Sequence, residues 1–290
     1  MRRSILGGVL CVVCVGGQLG LPCEASADAD PAFNKKYRPK VEALAPKLDA
    51  KAKASWVEST LALLREWSRG KDADAEMILD PLKLAVMREA AQKATGVVLL
   101  VDTSSSMKNA PAGGGGGGGA KIDGAEKSAI AAIKRLKALA AKHSGIKLHA
   151  GVYTFSHQIR AVIPLQRVTA RFPTLSALRA DGATAIGDAM VRARRDLCAA
   201  GIARQHIIVI TDGSNTHGRS PLDVLRAFNM LPGTQFPQVH LIAFDIATSV
   251  FRPLQRLFLG KVHQARDSAQ LDAVLARLLE RDILPEATGK

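Results

Sequence analysis

Aromatic side chains are scarce in this sequence, with Phe, Tyr and Trp making up 4% of its 290 residues. The stacking platforms that single-stranded nucleic acids use are therefore thin. Hydrophobic residues still amount to 47%, which excludes a wholly disordered chain and requires an aliphatic core. Cysteine is also sparse: three of the four lie at Cys11, Cys14 and Cys23, leaving Cys198 alone in the rest of the chain. One cysteine closes no internal disulfide, so the fold stands without staples. Its Ala-rich, helical surroundings mark Cys198 as a buried, inert thiol. Beyond the N-terminus no apolar run approaches membrane-spanning length, which excludes a multi-pass membrane protein. Internal repeats are missing. So are the His-Glu-x-x-His and Gly-x-Ser-x-Gly patterns of common hydrolases.

What the N-terminus does contain reads as an address. Arg2 and Arg3 precede an apolar or small run from Ile5 to about Leu21, then Pro22 and the small-x-small pattern Ala25-Ser26-Ala27. This is the layout of a secretory signal peptide over residues 1–27, which implies an exported, periplasmic or extracellular protein. The alternative is an uncleaved N-terminus that holds the chain at a membrane.

Two regions follow. Residues 28–95 read as a helical arm, with Val57, Leu61 and Leu64 at i, i+4, i+7. Asp80-Pro81 starts a further helix to about Lys93. From Gly96 to about residue 283 the pattern alternates. Apolar runs at 97–101 and 207–210 end in Asp102 and, after Thr211, Asp212. Each is a strand buried on both faces. Strands are also expected at 148–155, 159–163, 239–244 and 262–265, with helices at 121–141, 186–200, 221–230, 249–258 and 271–281. Such alternation gives an α/β fold: a doubly wound, mostly parallel sheet with helices on both faces. The tight turn at Ser156–Gln158 adds one antiparallel edge strand. Residues 284–290 form a C-terminal tail.

In such sheets ligands bind outside the carboxyl ends of the strands. There Asp102-Thr103-Ser104-Ser105-Ser106 follows one strand and Thr211-Asp212-Gly213 another, with Gly182-Ala183-Thr184 in a turn between. Carboxylates and hydroxyls are hard oxygen donors, suited to Mg²⁺ or Mn²⁺.

This set resembles the metal-ion-dependent adhesion site of von Willebrand factor A domains, exported bacterial members included. The resemblance spans residues 96–283 and implies metal-binding roles for Asp102, Ser104, Ser106, Thr184 and Asp212. It implies direct binding by the serines, and in some states the threonine, while the aspartates act largely through water. The cofactor is then Mg²⁺ or Mn²⁺, and an acidic group of a partner completes the coordination. One departure is the run Gly113–Gly119. It is no phosphate loop, because no Gly-Lys-Ser/Thr follows; a tolerated loop insertion is the preferred reading and a mobile lid the other.

Charge points to the same partner class. Residues 96–290 carry 25 Lys and Arg against 14 Asp and Glu, whereas residues 28–95 carry 13 against 11. The basic excess steers an acidic protein segment or an anionic cell-surface polymer toward the site-bearing domain; nucleic acid does not fit an exported, aromatic-poor chain. The expectation is a non-enzymatic, metal-dependent binding or adhesion module. The alternative is an accessory or assembly subunit of an envelope complex, with the metal as a conformational latch. A metal-dependent hydrolase is weaker, since Ser104 stands where a phosphatase needs a second acid.

Overall fold

The computed structural model describes residues 31–43, 45, 49–68, 75, 79, 94–112, 119–143, 145–229, 237–255 and 260–288. The expected signal peptide and the expected helix over 80–93 lie outside these residues. The chain divides into two compact units, Met1–Leu79 and Asp80–Lys290, whereas the sequence reading divides it at Gly96.

In the first unit, helices α1 (Pro31–Glu42) and α2 (Ala50–Ser68) are described. Arg38 on α1 donates to Glu58 on α2 at 2.6 Å. The expected stripe of α2 is present, with Val57, Leu61 and Leu64 all buried.

The second unit begins with β1 (Thr95–Asp102), α3 (Lys121–Lys142), β2 (Leu148–Phe155) and β3 (Ile159–Arg167). It continues with α4 (Ile186–Ala199), β4 (Arg204–Thr211), α5 (Pro221–Asn229) and β5 (Gln238–Phe244). Then come the short α6 (Arg252–Gln255), β6 (Gly260–Ala265), α7 (Ser268–Leu278) and α8 (Leu284–Thr288). The sheet runs β3-β2-β1-β4-β5-β6. Its pairs are parallel except β2 with β3, the expected antiparallel edge.

All eight residues of β1 are buried, which is why its sequence is apolar without alternation. Val97, Leu99 and Val101 share a core with Ile122, Ala125 and Ala129 of α3 and Leu271 and Leu275 of α7. A paired ion contact, Arg135 to both carboxylate oxygens of Asp272 at 2.7 Å, joins α3 to α7. Residues of opposite parity face α4. A Cβ on Gly96 would come within 2.7 Å of Leu197 and 2.9 Å of Ile202, so only glycine lets α4 approach this closely. Helices therefore cover both faces, as expected for this α/β fold. Cys198 is buried, as expected.

Two details differ from expectation. The described part of the helix expected at 249–258 is a 3-10 turn, Thr248–Phe251, followed by helix at Arg252–Gln255; residues 256–258 lie outside the described residues. The closing helix does not stop near Arg281, and residues 284–288 of the expected C-terminal tail are helical. A π-helical turn, Leu279–Ile283, carries it into α8, where the Glu286 carboxylate meets His206 Nε2 at 3.0 Å and accepts from Gln238 at 2.6 Å.

A histidine row is a further feature. Among the described residues, His149 Nδ1 and both ring nitrogens of His240 lack hydrogen-bond partners. His206, His240 and His263 stack across β4, β5 and β6, with ring centroids 6.3 and 5.7 Å apart. Burial, with like charge from His206 and His263, pushes the His240 imidazole down to about 3.

Candidate metal centre

The strand order places β1 and β4 side by side at the centre of the sheet, with the chain winding outward from them in opposite directions. At such a switch point the loops beyond the carboxyl ends part and leave a crevice. Asp102 is the last residue of β1. Val101 lies in register with Ile210, which sets Asp102 opposite Thr211 and next to Asp212.

The contacts form a chain. Asp102 is fully buried; Oδ1 accepts the Ser104 N–H at 2.7 Å, and Oδ2 accepts the Thr211 hydroxyl at 2.6 Å. The Ser104 and Ser106 hydroxyls are 3.1 Å apart. Ser106 Oγ donates to Asp212 Oδ1 at 2.6 Å. Asp212 Oδ2 accepts from Lys121 Nζ at 3.0 Å, and the same ammonium lies 3.1 Å from Asp245 Oδ2.

Thr184 arrives from a different loop. The turn before it is clamped to the β1 loop: Asp181 N–H donates to Thr103 O at 2.5 Å, and Ser105 N–H donates to Gly182 O at 3.0 Å. Gly182 N–H donates to Ser105 Oγ at 3.1 Å. Gly182 has φ +85°, and a Cβ there would lie 2.3 Å from the His157 ring, so this turn needs glycine. Thr184 O then accepts the N–H groups of Thr216 and His217, drawing in the loop that follows Asp212. The Thr184 hydroxyl lies 3.9 Å from where a Cβ on Gly213 would stand. Four of the five residues singled out in the sequence are joined in the contact chain, and Thr184 lies in the loop clamped beside it. His217 is exposed, and Asp188 pairs with Arg219.

Electrostatics follow from burial. Burial pushes the Asp102 carboxyl up to about 6, against the hydrogen bonds from Thr211 and Ser104 that favour its charged form. Burial alone would lower the Lys121 ammonium, but hydrogen bonds to Asp212 and Asp245 outweigh it and hold the group above its ordinary value. Lys121 is therefore a resident cation of this crevice.

The donor set suits a hard dication, because every candidate ligand atom is oxygen. Among the described residues no three His, Cys, Asp or Glu side chains cluster to hold a metal, so a cation here relies on the hydroxyls.

Sequence reasoning missed Lys121, Thr211 and Asp245. Asp245 was visible as a strand-end acid. Lys121 was visible as a cation in the first turn of a helix, where the macrodipole disfavours it; such a placement signals a nearby acid.

Residues 97–215 match the von Willebrand factor type A domain. The matched segment contains all five candidate ligands. Domains of this type generally serve as interaction modules and not as enzymes. Among solved structures the chain is similar to a von Willebrand factor type A protein from Catenulispora acidiphila, at 24% identity and TM-score 0.50. That match covers 68% of this chain and 43% of the other. The chain is also similar to the PilB minor pilin from Streptococcus sanguinis, at 14% identity and TM-score 0.47, covering 67% of this chain and 62% of the pilin. BatB from Bacteroides thetaiotaomicron is a third, at 16% identity and TM-score 0.46, with 64% of this chain and 97% of BatB covered. The chain thus spans less than two thirds of the first two relatives. No curated protein matches it in sequence. These likenesses concern the fold; the von Willebrand factor A domain is the frame in which the five residues sit.

Proposed function

We propose that the protein is an exported binding module that captures an acidic group at a Mg²⁺- or Mn²⁺-loaded site. The observation that carries this reading is the contact chain Asp102–Ser104–Ser106–Asp212 in the switch-point crevice. Ser104, Ser106 and Thr184 would offer neutral hydroxyls; Asp212 holds the Ser106 hydroxyl, and Asp102 holds the loop through the Ser104 N–H and the Thr211 hydroxyl. When bound, the metal supplies a Lewis-acidic position for an anionic oxygen. The hydroxyl ligands bring no charge of their own, so the dication keeps a strong local pull on a carboxylate at its open position. Mg²⁺ keeps exchangeable waters, which leaves room for that group. The basic excess of residues 96–290 works in the same direction over longer range.

The test uses poly-L-glutamate immobilised on a surface, at about 0.15 M salt, where long-range attraction to exposed lysines is screened. The expected result is retention of the protein with Mg²⁺ and release by chelator. Equal retention with and without metal would show simple charge attraction and contradict the proposal.

A further inference from the structure

The structure assigns Lys121 a role beyond packing: we infer that it is the built-in counter-cation that lets an acidic ligand approach a metal site rimmed by three aspartates. The inference rests on the metal-binding reading above. Asp102, Asp212 and Asp245 stand at the carboxyl ends of three adjacent strands, β1, β4 and β5. Lys121 Nζ lies between two of them, 3.0 Å from Asp212 and 3.1 Å from Asp245. The group is enclosed: the Lys121 side chain is 11% exposed, that of Asp212 0% and that of Asp245 9%.

Several features hold the ammonium there. Lys121 N–H donates to Asn109 O at 2.9 Å, which ties the start of α3 to the segment after β1. Asp245 Oδ2 also accepts the Ala112 N–H at 3.0 Å. Asp245 itself adopts φ +54°, a left-handed conformation that Asp tolerates better than most residues. Buried ion pairs contribute little net stability, because desolvation offsets attraction. A strained aspartate and a cation at the positive end of a helix are therefore poorly explained by stability alone.

Charge counting explains them. Three carboxylates and one ammonium sum to −2, so a bound dication brings the crevice to neutrality. Without Lys121 the loaded crevice would carry −1 and repel an acidic ligand, while the empty crevice, at −3, would hold the metal more tightly. Lys121 thus exchanges metal affinity for anion affinity. The two effects have opposite signs, a signature that a merely structural residue would not give.

The experiment compares wild type with Lys121→Met, Lys121→Arg and Asp245→Asn, each checked for folding by circular dichroism. Mn²⁺ affinity is read by calorimetry. Acetate is then titrated into the Mn²⁺-loaded protein and followed by water-proton relaxation. Lys121→Met is expected to tighten Mn²⁺ by at least about tenfold and to weaken acetate by a smaller factor, because the lost unit charge acts on a dication in one case and a monoanion in the other. Lys121→Arg keeps the charge and should stay near wild type. Asp245→Asn should shift both affinities the other way, and it tests the inference even if Lys121→Met fails to fold. Unchanged Mn²⁺ affinity in the folded variants, or Mn²⁺ and acetate affinities falling together, overturns the role of Lys121 and leaves the metal reading standing. A wild type that binds no Mn²⁺ overturns both.

Discussion

Replacing Asp102 with Asn is expected to stabilise the metal-free protein at neutral pH by about 1–3 kcal/mol, the free-energy equivalent of moving a carboxyl pKa by up to about two units. The sign follows from burial. The folded protein raises the Asp102 pKa from 3.8 to about 6, so it favours the neutral acid. That contribution to stability is fully present below about pH 4 and is lost as pH rises through about 6. At neutral pH the metal-free protein therefore carries a buried, poorly compensated carboxylate. Asn removes the charge while keeping the shape. Its amide oxygen can accept the Ser104 N–H, and the Thr211 hydroxyl has a second acceptor in Gly213 O at 3.3 Å. Chemical denaturation in chelator from about pH 4 to 7.5 checks this: the variant's advantage should be small at the acidic end and grow through about pH 6. A variant less stable than wild type at neutral pH would contradict it. The same substitution should remove any stabilisation by Mg²⁺, so the residue that costs stability empty is the one that gains most from a bound cation.

Acidification should expose a second buried group with the opposite sign. The His240 imidazole is pushed down to about 3, so between its unfolded value of about 6.5 and about 3 the unfolded chain takes up a proton that the folded chain refuses. Stability is present above that window and falls as pH drops through it, by about 2 kcal/mol at about pH 5. The groups around it are His206, His263, Asp282 and Lys261, with Arg277 beside His263 and Glu286 on His206. His240→Leu, close in volume and without ring nitrogens to leave unpaired, should be near wild type at neutral pH and more stable than wild type at about pH 5. Because Asp102 gains on acidification what His240 loses, the wild-type curve in chelator is flattened. The single variants separate the two. Equal acid sensitivity of wild type and His240→Leu would show that the histidine row does not control it.

The division between what could be read from the sequence and what could not has a physical basis. β1 and β4 were legible because strands buried on both faces are uninterrupted apolar runs, and the acids that end them mark the sheet edge. Asp102, Ser104, Ser106, Thr184 and Asp212 could be singled out as candidates because their residue types and order follow one known pattern. Lys121 was not legible, since its pairing depends on β4 and β5 lying adjacent and on the contact of its backbone with Asn109. The histidine row needed the register of three strands from separate parts of the chain. Helix α8 was taken for a tail because its anchoring depends on contacts about eighty residues back in sequence, with His206 and Arg204.

The central claim is that these five residues bind a divalent cation in the folded protein. Thermal unfolding of wild type, Asp102→Asn and Asp212→Ala, with Mg²⁺ or Mn²⁺ titrated against chelator, tests it most directly. Binding to the native state raises stability with metal concentration, by about 2.7 kcal/mol at a hundredfold excess over Kd. The account predicts a rising melting temperature for wild type and a flat response for both variants. A folded wild type whose melting temperature ignores the metal, with no heat of binding by calorimetry, would contradict it.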